Sequence, residues 1–207
     1  MRAYTLVAIL CPLFVGCASN KGTINSFTEP SFDPASMKSV AVLPIRNAKF
    51  APAEAQQVNR RIAQTVSAAG VTVLGANEAI ERLNSAGAAD EWAVFLTNYT
   101  SSGVPNKTSL MRIADVLQVH GVLQGEVVNS FQQDGAYGNN KGQTRVTVRY
   151  SLLDGRSGLL VWEATADGIC VTGTTLDDAP PTIEAINLAI EKIIEAIPFG
   201  QKVPPKG

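Results

Sequence analysis

Residues 144–152 alternate without a break. Val146, Val148, Tyr150 and Leu152 fall on one side, and Arg145, Thr147, Arg149 and Ser151 on the other, because successive side chains of a strand leave opposite faces. A strand with one apolar face belongs to a sheet whose apolar side something else must cover. The sequence supplies the neighbours. Residues 122–131 read as a preceding strand, separated by a Gly/Asn-rich polar stretch over 132–143 that reads as a long hairpin loop. Residues 159–171, carrying Trp162, read as a following strand across the turn Asp154-Gly155-Arg156-Ser157-Gly158.

The cover comes from the flanking segments, where the period changes. Residues 39–45, Ser-Val-Ala-Val-Leu-Pro-Ile, are a compact apolar run that predicts a buried strand. Val58, Ile62 and Val66 then recur at helical spacing over 53–69, and Gly70 is a natural residue to close that helix. A second short strand over 71–74 follows. Asn77 is a candidate N-cap for a short helix with Ile80 and Leu83. Trp92, Phe95, Leu96 and Tyr99 share one helical face, as do Leu110, Ile113, Ala114 and Leu117. After Pro180-Pro181 comes a final helix with Ile183, Ile186, Ile190, Ile193, Ile194 and Ile197, stopped by Pro198. The predicted fold class is α/β: a single mixed-sheet sandwich domain with helices packed on the sheet, a C-terminal strand meander and a final helix.

Composition narrows the function. Of 207 residues, 45% are hydrophobic and 17% charged, enough for a real core and unlike a disordered chain. A net charge of −1 with no basic run argues against a nucleic-acid binder. The single histidine, His120, sits at a helix-to-strand corner and reads as structural; with no Cys/His spacing, no metal site is expected. Gly121-Val122-Leu123-Gln124-Gly125 lacks the Lys-Ser/Thr of a phosphate loop, and Ser101-Ser102-Gly103 lacks a nucleophile-elbow pattern. The acidic pairs Asp90-Glu91 and Asp177-Asp178 are adjacent residues that cannot share one helical site. No enzyme activity and no cofactor are expected.

The N-terminus is an address. Met1-Arg2-Ala3-Tyr4 is a short positive region, and residues 5–15 are eleven mostly apolar residues. That is short of the roughly 20 needed to span a bilayer and suits a signal peptide. It ends Phe14-Val15-Gly16-Cys17, which resembles the bacterial lipobox, with Phe14 where that motif usually has Leu. The resemblance implies cleavage before Cys17, diacylglycerol on its thiol and acylation of the new amino terminus. Three chains hold a protein stably to a membrane, where one alone is marginal. Ala18 after the lipidated cysteine implies, by resemblance to the enteric sorting rule, the outer membrane. The expected organisation is a signal peptide over 1–16, the lipidated Cys17 and a polar tether over 17–37, the domain over 38–198, and a loose tail over 199–207. Cys170 is then the sole remaining thiol, read as a small buried hydrophobe.

Three ordered islands carry a second resemblance. Val40-Ala41-Val42-Leu43-Pro44 opens the domain, residues 114–127 (ADVLQVHGVLQGEV) sit in its middle, and residues 152–162 (LLDGRSGLLVW) come late. Together they resemble the CsgG/LpoB-like superfamily of bacterial envelope lipoproteins. Gln118-Val119-His120 replaces the family's acid-bearing corner, and Ser157 its Thr before Gly158. The resemblance implies a periplasmic domain acting as adaptor, scaffold or regulator of an envelope assembly through protein–protein contacts. It leaves a homo-oligomer open, with a ring-forming export channel like the curli-export lipoprotein as the alternative. The polar loop from Asp134 to Gln143 and the aromatic segment from Trp92 to Tyr99 are candidate contact faces, each also readable as ordinary loop and ordinary core.

Overall fold

The computed structural model describes residues 19–46, 51–136, 140–175 and 177–199. Among these the order is β1 (Ser19–Thr28), β2 (Ser39–Val42), α1 (Pro52–Ala68), β3 (Thr72–Leu74), α2 (Ala76–Ser85), α3 (Ala89–Ser102), α4 (Lys107–Leu117), β4 (Gly121–Gln133), β5 (Gln143–Asp154), β6 (Leu159–Val171) and α5 (Thr182–Ala196), with a 3-10 turn at Pro34–Ser36. The strands form one mixed sheet in the order β1-β6-β5-β4-β2-β3. β2 runs parallel to β3 and β4, and β4, β5, β6 and β1 pair antiparallel. The fold is α/β, and from β2 onward its elements follow the order that the periodicities predict.

Helices cover both faces. The alternating strand β5 turns Val146, Val148, Tyr150 and Leu152 towards α1 and α5, where they meet Val58, Ile62, Val66, Ile186, Ile190 and Ile193. Trp162 and Cys170 of β6 are fully buried in the same layer. The opposite face places Ala41, Leu43, Val122 and Leu153 beneath α2, α3 and α4. Along β6, Ala164, Ala166 and Gly168 keep this part of the sheet shallow, so α5 approaches closely on its own small residues, Ala185 and Ala189.

Three expectations need correction. Residues 19–28, expected in the tether, form β1, paired with β6 over its whole length from Ser19↔Val171 to Thr28↔Trp162. The segment is polar, yet an edge strand is held by its backbone hydrogen bonds and needs no apolar side chains. Phe199, expected in the tail, is buried against the α5 layer. Asn77 does not cap α2: the helix starts at Ala76 with Gly75 as its extended N-cap. The hairpin loop expected over 132–143 is shorter, since β4 runs to Gln133 and β5 starts at Gln143, and α4 is closed by Gln118 in the left-handed region at φ 57°. His120 takes the Lys38 N–H on Nδ1 at 3.1 Å and gives its own N–H to the Ser39 carbonyl, so its ring ties β2 to the start of β4.

Candidate functional site

The aromatic segment is core. Trp92, Phe95 and Tyr99 stack along α3 with centroids 5.2 and 6.0 Å apart and planes within 17°, and all three are buried against the sheet. Tyr99 marks where the apolar cover ends. Its hydroxyl donates to Ser151 Oγ at 3.2 Å, and Ser151 donates to Glu163 Oε2 at 3.0 Å. Burial pushes the Tyr99 phenol up; the Ser151 hydrogen bond opposes this, and the Glu163 charge adds to it.

Beyond Tyr99 the same sheet face becomes a polar lattice, built because β5 turns its second side-chain row here. Glu126 on β4 lies between Arg149, its cross-strand partner, and Arg46, at 3.8 Å. Arg46 also donates to Thr100 on α3 at 2.7 Å. Asp167 on β6 takes hydrogen bonds from Thr147 at 2.6 Å, Arg145 at 2.7 Å and Thr23 of β1 at 3.5 Å. Burial alone would raise the Asp167 carboxyl, but these donors and the Arg145 charge outweigh it and hold it below the usual carboxylate range. Phe27 and Phe131 flank the lattice, each 48% exposed. Such a surface offers fixed charges and hydroxyls between two apolar contacts, the mixture that protein interfaces use. The sequence signal was there, in two arginines and a threonine on one strand face, but it reads equally as a solvated side.

Two further places lie outside the lattice. A groove of about 340 Å³ lies between the N-terminal half of α1 and the start of α2, lined by Gln56, Asn59, Arg60, Ala63, Asn77 and Glu78. Asn59 is committed structurally, accepting the Ile45 N–H at 3.0 Å. Tyr150, on the α5 side, is wholly buried, and its hydroxyl has no protein partner among the described residues. Burial pushes its phenol far above the ordinary value. Removing that oxygen removes a desolvation cost without leaving a partner stranded. Tyr150→Phe should therefore leave the urea midpoint unchanged or raise stability by up to about 1 kcal/mol. A loss of that size would reveal a hidden polar partner.

The sequence-predicted lipid site, Cys17, lies outside the described residues, and β1 begins two residues later. The described parts of the polar loop from Asp134 to Gln143, residues 134–136 and 140–143, lie at the same end of the sheet, since Ser19, Val171, Gln143 and Gln133 form one row across β1, β6, β5 and β4. Its described part is tied down. Asp134 Oδ1 accepts the Ala179 N–H at 2.9 Å, and Gly135 N–H donates to the Asp177 carbonyl at 3.0 Å.

No family model matches the chain, and no curated protein matches it. Solved structures do. A PelC dodecamer from Paraburkholderia phytofirmans is similar at 20% identity, over 84% of this chain and 95% of that one, with a TM-score of 0.45. The lipoprotein GNA1162 from Neisseria meningitidis is similar at 18% identity, over 77% and 96%, with a TM-score of 0.48. The hypothetical protein CT253 from Chlamydia trachomatis is similar at 12% identity, over 78% and 95%, with a TM-score of 0.47.

Proposed function

We propose that this chain is a CsgG/LpoB-like lipoprotein of the outer membrane, lipidated on Cys17, with its α/β domain facing the periplasm. There it serves as an adaptor, scaffold or regulator of an envelope assembly, through protein–protein contacts and with no catalytic step of its own. The observation that carries the reading is the lipobox-like Phe14-Val15-Gly16-Cys17 behind an apolar stretch too short to span a bilayer. No helix among the described residues is long and apolar enough to cross a membrane, so on this reading attachment rests on the acyl chains. The lattice around Glu126 and Asp167 is the surface we assign to partner contact.

Growth with a radioactive fatty acid tests the anchor. The wild-type protein should take up label and sediment with outer membranes, and Cys17→Ser should do neither. Label on the Cys17→Ser protein would sink the reading. The native mass of the lipidated protein in mild detergent tests the role. A monomer or small oligomer fits an adaptor, whereas a single large ring of many copies would replace it with the export-channel reading.

A further inference from the structure

We infer that the sheet stands on the bilayer by one end: the layer made by residues 134–136, 140–142, 172–175 and 177–181 rests on the lipid surface, and the opposite end points away. This rests on the proposed lipidation of Cys17. Only Ala18 separates Cys17 from Ser19, the first residue of β1. At no more than about 3.6 Å per residue, the Cys17 and Ser19 Cα atoms are within about 7 Å of each other. β1 is not a tether end that swings freely; it is hydrogen-bonded to β6 from its first residue. A lipidated Cys17 therefore brings the row Ser19–Val171–Gln143–Gln133 to the headgroups.

The described residues of the layer beyond that row are hydrogen-bonded to one another. Thr172 N–H donates to the Gly142 carbonyl at 2.9 Å, Gly135 N–H to the Asp177 carbonyl at 3.0 Å, and Gln132 Nε2 to the Pro180 carbonyl at 3.1 Å. Gly142 lies so close to the second segment that a Cβ there would come 2.9 Å from the Asp178 carbonyl oxygen. Asp134 and Asp177 each accept a backbone N–H within the layer, so their charges serve the fold, and the layer's acidic character gives no electrostatic pull towards anionic lipid. Its position is set by the anchor. The far row, Gly121–Asp154–Leu159, lies the length of β5 away, 12 residues or roughly 40 Å at about 3.4 Å per residue.

The test uses full-length lipidated protein in phosphatidylethanolamine/phosphatidylglycerol vesicles that carry a headgroup spin label. A thiol-reactive fluorophore is placed at Asp178→Cys in one preparation and at Leu159→Cys in another; Asp178 and Leu159 are exposed, and Cys170 is fully buried. The Asp178→Cys probe should lose most of its emission and the Leu159→Cys probe should keep it. Inserting about 20 Gly/Ser residues between Ala18 and Ser19, a span of about 25 Å, should restore the first. Quenching of both probes, or of neither, in protein whose mass shows the acyl chains would overturn the inference. A mass without acyl chains would overturn the anchor reading, and this inference with it.

Discussion

Gly168→Ala is expected to cost at least about 3 kcal/mol, the upper end of what overpacking a core does. The added methyl has nowhere to go. It would run into the Ala185 carbonyl oxygen and come 2.9 Å from the Ala189 amide nitrogen. Both belong to the backbone of α5, which cannot rotate aside as a side chain can. The helix would have to lift from β6, and lifting it loosens Ile186, Ile190 and Ile193 from Tyr150, Leu152 and Trp162. Gly22→Ala on β1 is the matched control. Its methyl would meet Lys192 Cγ at 2.9 Å, part of a flexible side chain that can move, so its cost should stay below about 1 kcal/mol. Urea midpoints of the two variants decide the matter. Equal midpoints would mean that α5 is not seated on β6 as described.

Asp154→Ala should cost roughly 1–3 kcal/mol, because one carboxylate organises the whole β5–β6 turn. Its Oδ2 accepts the Ser157 hydroxyl at 2.7 Å and the Ser157 N–H at 3.3 Å, and its Oδ1 accepts the Arg156 N–H and Nε at 3.3 and 3.2 Å. Burial works to raise this carboxyl, but the donated hydrogen bonds and the Arg156 charge outweigh it and hold it below the usual carboxylate range. A depressed folded-state value has a definite sign. The stabilisation is complete above the unfolded carboxylate value, about 3.9, and is lost as pH falls through the lower folded value. Asp154→Asn should therefore be less stable than wild type at neutral pH, and the gap should close below about pH 4. A gap that stays constant to low pH would show that the carboxylate charge is not what holds the turn. The same contacts show what Ser157 brings to the turn, a hydroxyl for the Asp154 carboxylate, which a Thr there would bring as well.

The features visible in the sequence were those in which side chains carry the pattern. β5 betrays itself by alternation, α1 by Val58, Ile62 and Val66, and the Trp92–Tyr99 stripe by helical spacing, and each is buried as that pattern implies. β1 carries no such pattern. Its partner is chosen by backbone pairing along β6, a relation between segments more than a hundred residues apart that no local window reports. Phe199 escaped for a related reason, since one apolar residue after Pro198 has no period. The polar lattice was half legible. Arg145, Thr147 and Arg149 mark the far side of β5, but only the assembled sheet shows that Glu126 and Asp167 face them from β4 and β6. The proposal for Cys17 rests on the sequence alone.

The exposed outer edge of β1 bears on how copies of this chain behave together. A ten-residue edge strand that pairs with β6 on one side and is exposed from Lys21 to Thr28 is a template for strand exchange and aggregation. Acylation at Cys17 would remove the most accessible of these associations. Copies rooted in one leaflet present their β1 edges all running the same way, away from the lipid, whereas antiparallel self-pairing needs one copy inverted. On the proposed lipidation, the acyl chains would act as an orientational restraint against polymerisation, one that a soluble version of the domain would give up.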